Sequence, residues 1–271
     1  MSSDLYVEEG PGRDLVEAGA DMTGSAVGAA VGLLFGGPVG ALGGAAAGPA
    51  ASRALRWAAV ELGQRVLGRR ERARAGAAVL FAAERLRDLL ESGSGLRDDG
   101  FFADRPGGRN AGREIAEGVL LKARDAFEER KVRHIGYLFA NVAVLNDIDA
   151  GLAAMALERA ESLTWRQYVL LAAVGRADRL PLPAGELGDD PGGWAAWGTR
   201  REFRDLHEAG YLRAEAKKTV HRGLRVPNTA LPDQRLAHQG LLMHQLLALD
   251  VIPDSDVLRI HTALELRGDD A

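Results

Sequence analysis

The chain has 271 residues, 46% hydrophobic and 27% charged, with a formal net charge of −4, which is enough apolar material for one large domain or two modest ones. Aromatic residues make up only 6%, so a core must rest on Leu, Val and Ala; the absence of cysteine excludes disulfides, thiolate metal sites and cysteine nucleophiles and suits a reducing compartment. The acidic balance argues against a general affinity for nucleic acid, and a basic complement that is nearly all Arg, beside abundant Ala and Gly, fits a bacterial source with G+C-rich coding.

Residues 1–22 read as an acidic lead: Asp4, Glu8, Glu9, Asp14, Glu17 and Asp21 stand against Arg13. A signal peptide would instead carry a basic start before its apolar run. Residues 23–52 are organised by glycine, with Gly24, Gly28, Gly32, Gly36, Gly40, Gly44 and Gly48 at every fourth position and no charged residue between Asp21 and Arg53. Positions four apart on an α-helix lie one above another, so these glycines form a groove nearly free of side chains. Small residues at that spacing let a second helix approach to backbone contact, as in membrane helix pairs. The pattern is a glycine zipper, a device for close packing and membrane insertion.

The uncharged window exceeds the ~20 residues that a spanning helix needs, but it is poor in large apolar groups. Val27, Val31, Leu33, Leu34, Phe35, Val39 and Leu42 supply roughly −0.3 to −0.6 kcal/mol each, so one isolated helix inserts only marginally. Gly37-Pro38 interrupts the helix at its midpoint, since proline disfavours helix at the residue before it. The sequence therefore predicts two arms packed glycine face to glycine face. A kinked single span, a hairpin re-entering one leaflet and a close-packed hairpin inside a soluble protein all satisfy it.

Residues 53–175 read as a helical body. The charge reverses just after the zipper, where Arg53, Arg56, Arg65, Arg69, Arg70, Arg72 and Arg74 face only Glu61 and Glu71. Basic residues beside a spanning segment stay in the cytoplasm, which places the C-terminal part there. Arg65, Arg69, Arg70, Arg72 and Arg74 are candidate contacts to anionic lipid headgroups, or equally a solvated helix face. Apolar periodicity predicts helices over 53–68 and 73–92, then a loop to Gly108 anchored by Phe101 and Phe102. Asn110 is a good N-cap for a helix over 110–130 with Ile115, Val119, Ala123 and Phe127 on one face. Residues 131–145 are dense enough in apolar groups to be the central buried helix. Asp147 or Asp149 caps a short helix through Met155 and Leu157, and Thr164 caps one ending at Gly175.

A Pro- and Gly-rich linker over 176–193 precedes a module over 194–271. Here a helix closed by Gly210, a short strand pair with a basic tip, and two further helices resemble a winged-helix module. The tip carries Lys217, Lys218, His221, Arg222 and Arg225, the candidate contacts to nucleic acid or a partner. Glu202, Asp205, Glu208 and Glu215 around it weigh against DNA, and winged-helix shapes also serve as protein docking modules.

The segments EERKVRHIGYLFANVAV, SLTWRQYVLLAAV and DLHEAGYL to ALDVIPDSDVLRIHTAL, spanning about 115–266, resemble uncharacterised bacterial helical proteins. The resemblance implies a compact helical body with a winged-helix-like end and implies nothing about catalysis.

Nothing in the sequence points to an active site. The six histidines form no i, i+4 pair and no HExxH, no glycine-rich phosphate loop ends in lysine, and no GxSxG elbow occurs. No cofactor or metal is expected, and the chain does not read as an enzyme. The expected fold is mainly α: a glycine-zipper helical hairpin, a helical body, and a C-terminal winged-helix-like module with a small β-hairpin. The expected role is that of a non-enzymatic bacterial protein at the cytoplasmic membrane, a toxin or defence effector being one natural use. Membrane lipids and a homo-oligomeric or other protein partner are the expected contacts. A soluble cytoplasmic DNA-binding regulator or adaptor is the alternative.

Overall fold

The computed structural model describes residues 53–58, 60–61, 67–103, 108–187, 192–215, 220–221, 224–225 and 230–265. The lead, the glycine zipper Gly24–Gly48, Arg65, Lys217, Lys218 and Arg222 lie outside them. The chain divides into two compact units between Ser162 and Leu163. The described part is mainly helical, with small antiparallel strand pairs.

In the first unit the backbone is helical at 53–58 and 60–61, and Ala54, Leu55 and Ala58 are buried. Helix α1 spans Arg69–Glu91. Its start lies four residues ahead of the predicted one because the Glu71 carboxylate accepts a hydrogen bond from the Gly68 N–H at 2.7 Å, satisfying a donor that the helix cannot. The arginines at 69, 70, 72 and 74 are therefore on α1 itself. Ala75, Ala77, Ala78, Val79, Phe81, Ala82, Ala83 and Leu86 are all buried, since alanine at so many positions lets neighbours press close on several sides.

Arg97 then fixes the loop after α1. Its guanidinium is buried, donates to the carbonyls of Val142 (3.2 Å) and Ile148 (2.7 Å), and lies over the Phe101 ring at 4.1 Å. Phe101 and Phe102 are buried as expected, and Phe102 meets Phe139 edge-on. Asn110 caps α2 (Ala111–Asp125) by accepting from the Arg113 N–H at 2.9 Å and donates to the Phe102 carbonyl. This helix ends five residues before the predicted Arg130. Phe127, expected on its buried face, falls in the following turn and is 94% exposed. Helix α3 (Lys131–Val142) is the central buried one, packed on α1 with Gly136 at the crossing. Asp149 caps α4 (Ala150–Ser162), accepting from the Leu152 N–H at 2.7 Å. Lys131, itself buried, donates to the Glu161 carbonyl at the far end of α4.

The second unit begins with α5 (Trp165–Gly175), held by a capping box in which the Thr164 hydroxyl accepts from the Gln167 N–H and the Gln167 carboxamide accepts from the Thr164 N–H. The sequence groups this helix with the preceding body. In the structure its buried run from Tyr168 to Val174 packs on elements that follow it. The elements after it are α6 (Trp194–Glu208), β1 (Leu212–Ala214), β2 (Val220–His221), β3 (Leu224–Arg225), β4 (Gln234–Leu236), α7 (His238–Leu246) and α8 (Asp254–Glu265). β1 pairs with β4, matching Leu212 to Leu236, and β2 pairs with β3, matching His221 to Leu224. Strand β4 was not among the predicted elements. Two buried arginines tie this unit together: Arg176 donates to the Leu249 carbonyl and the Asp254 carboxylate, and Arg200 donates to the Leu264 carbonyl near the end of α8.

Candidate interaction site

The candidate site that the structure describes best is the basic segment following the zipper. Residues 53–58 present Arg53 and Arg56 outward, one turn apart, while Ala54, Leu55 and Ala58 anchor the segment in the first unit. The Arg109 guanidinium lies 5.3 Å from the Trp57 ring centre, a cation–π contact that fixes the same segment to the start of α2. The chain emerging from the glycine stretch is thus docked on a folded body at its first described turns.

Arg69, Arg70, Arg72 and Arg74 occupy the first turns of α1, where the free N–H groups and the helix dipole are already positive. In the first turn Arg69 and Arg70 cost about 0.3–1 kcal/mol each, and only Glu71 offsets them there. Helix stability therefore does not account for their placement, whereas an anion would be favoured by both the dipole and the guanidinium groups. The four divide by role. Arg72 and Arg74 are half-buried and donate to the carbonyls of Leu67 and Ala126, so they also hold structure. Arg69 and Arg70 are exposed.

The Arg74–Ala126 hydrogen bond brings the turn after α2 against the start of α1. Phe127 stands in that turn almost fully in water, and Arg124, three residues before it, is paired to Asp125 at 2.7 Å and lies within electrostatic reach of Glu71. An exposed aromatic ring and exposed arginines consequently share one end of the first unit. The sequence pattern places Phe127 on one face with Ile115, Val119 and Ala123, and no local signal turns it outward until the helix end at Asp125 is known.

At the other candidate site, His221 and Arg225 lie on β2 and β3, with backbone pairing His221 to Leu224 and Val220 to Arg225. Lys217, Lys218 and Arg222 are outside the described residues. The glycines of the zipper are outside them too, so Gly24, Gly28, Gly32, Gly36, Gly40, Gly44 and Gly48 retain their sequence reading alone. Among the described residues no helix is long and apolar enough to cross a membrane, and no group of His, Cys, Asp and Glu could hold a metal ion.

Two histidines show perturbed chemistry away from these sites. His244 sits over Gly175, where a Cβ would come within 2.5 Å of its Nε2, and burial pushes its pKa down, opposed by Asp250 and assisted by Arg176. His261 on α8 is likewise pushed down by burial, opposed by Glu265. Both leave a buried Nε2 without a hydrogen-bond partner.

Comparison of the chain with protein-family models, with curated proteins and with solved structures returns no match.

Proposed function

We propose that the chain is a non-enzymatic bacterial protein that acts at the cytoplasmic membrane. Its glycine zipper inserts or self-associates, and its two helical units remain on the cytoplasmic side to bind a partner. The observation that carries this reading is the unbroken repeat of seven glycines at every fourth position within an uncharged stretch. The basic segment supports it: exposed Arg53 and Arg56 follow the repeat directly, and exposed Arg69 and Arg70 stand in the first turn of α1, where they suit anionic headgroups better than they suit the helix. Weak intrinsic insertion fits a segment that enters lipid once packed against another arm or another copy, as a membrane-perturbing toxin or defence effector would require. The combined substitution Gly32→Leu and Gly36→Leu tests the packing role. It fills the groove, so oligomers resolved in mild detergent should be lost; unchanged oligomers would remove the zipper from the account.

A second reading draws on the order of α6, β1, the β2–β3 hairpin and β4, with Gly210 at φ +78° closing the helix before the strands. That order is compatible with a winged-helix module of a soluble regulator or adaptor. In that case, charge reversal at Lys217, Lys218 and Arg222 abolishes retention of a DNA library or of a protein partner.

A further inference from the structure

The outward face of α6 carries an arrangement that the membrane reading does not use. Ala196, Thr199, Arg200, Phe203 and Leu206 form the buried side of this helix. Opposite them, Trp194, Trp197, Arg201, Arg204 and Glu208 are exposed, at successive spacings of three, four, three and four. That spacing is the seam of a coiled coil. Trp194 is 85% and Trp197 52% exposed, and their rings meet edge-on with centres 6.0 Å apart. Two neighbouring indoles in water are a large apolar exposure of the type that marks an interaction surface rather than scattered surface apolar groups.

The stripe is asymmetric along its length, with both tryptophans at the N-terminal half and both arginines in the C-terminal half. In the antiparallel register centred between Trp197 and Arg201, the first of these four positions on one helix meets the fourth on the other, and the second meets the third. Run against itself in that way, the stripe sets Trp194 opposite Arg204 and Trp197 opposite Arg201, each pair occurring twice about a two-fold axis. Guanidinium on indole is the most favourable cation–π combination among protein side chains. The present partners of the arginines do not compete for it. Arg201 pairs with Asp205 at 3.1 Å and Arg204 donates to the Leu187 carbonyl at 3.2 Å, both through N–H groups at the guanidinium edge, which leaves its flat face for a ring. A nucleic acid or an anionic bilayer fits less well, because Asp205 and Glu208 cancel the charge of the two arginines along the same helix.

We infer that the exposed face of α6 is a self-association surface, on which a second copy of this chain docks antiparallel with the tryptophans of each copy under the arginines of the other. The exposed parts of the four indoles would bury on the order of 400–700 Å², well short of the ~1,600 Å² of a standard interface. Free copies therefore pair weakly, and copies already held together pair at the effective concentration of their tether. The inference is independent of the zipper.

Because the chain has no cysteine, the register can be read directly. One preparation of the full-length protein carries Trp197→Cys and another Arg201→Cys, and they are treated with a short thiol-reactive crosslinker alone and mixed, in the same mild detergent. Only the mixed pair places two cysteines in one layer while every other layer stays intact. It should crosslink at least tenfold faster than either preparation alone. Equal rates would overturn the proposal whether or not the zipper also gathers copies. As a second reading, Trp197→Arg should weaken sedimentation-detected pairing about tenfold and Trp197→Arg with Arg201→Trp should restore it; failure of the folded double variant to recover would also overturn it.

Discussion

Gly136 of α3 lies so close to the Ala78 carbonyl of α1 that a Cβ at position 136 would sit 2.4 Å from that oxygen. The neighbours of this spot, the Phe81 Cβ and the Ala82 N, would lie 3.1 and 3.2 Å away. The two helices thus cross backbone to backbone at a glycine, with alanines supplying the facing surface.

Gly136→Ala should therefore destabilise the first unit by about 1–3 kcal/mol through overpacking against atoms that cannot move aside. Since the obstruction is a backbone oxygen, adding Ala78→Gly should not rescue it. Urea unfolding of the single and double variants checks both statements, and rescue by Ala78→Gly would show that the clash is with a side chain.

Arg97 supplies a second prediction. Replacing it by Met keeps much of the volume over Phe101 but leaves the carbonyls of Val142 and Ile148 without this donor in a buried site. The expected loss is about 1–3 kcal/mol, and Arg97→Lys should recover only part of it: both carbonyls accept from the single Nη1 nitrogen, which an ammonium could replace, but lysine has no further nitrogen for the Asp99 carboxylate that the rest of the guanidinium holds. The Asp99 carboxyl, held below its usual pKa first by its hydrogen bond to Arg97, should titrate closer to an ordinary carboxylate in Arg97→Met.

The helical content and several details were legible from residues alone. Asn110 and Thr164 are capping residues by type and position, and Phe101 with Phe102 in a polar loop read as its anchors. What was not legible depended on tertiary context. Phe127 continues the apolar phase of α2, and only the helix end at Asp125 turns it outward. Helix α5 follows α4 after a short break like the preceding ones, and its partners are set by Arg176 and the buried residues after it. Strand β4 is three residues long and exists because β1 pairs with it. Trp194 and Trp197 sit at a helical spacing that ordinarily signals core, yet they occupy the side of α6 opposite Phe203.

The second unit should lose stability in mild acid. His244 and His261 both have folded-state pKa values below the ordinary 6.5, for which burial is the first cause in each. The unfolded chain then binds protons more readily, so their contribution is complete above 6.5 and is lost as pH falls from there through the folded values. His244→Leu should flatten the dependence of unfolding free energy on pH between 7.5 and about 5. An unchanged slope in that variant would show that His244 is not a source of it.

Ala248 follows α7 at φ +48° and is buried, the one non-glycine residue at positive φ among the described residues. The left-handed conformation costs an L-residue roughly 1–2 kcal/mol. Ala248→Gly removes that strain but also one buried methyl group and some order of the backbone, so a change near zero or a gain below about 1 kcal/mol is expected. Ala248→Val should destabilise by more than either, since branching at Cβ worsens the same clash.

The central claim is that residues before Arg53 bring this protein to the membrane. Cells expressing the full chain and a version lacking residues 1–52 are fractionated, and the membranes are washed at high salt to release proteins held by charge alone. The account predicts that the full chain stays with the washed membranes and the shortened one does not. Both chains in the soluble fraction, or both retained after the wash, would contradict it.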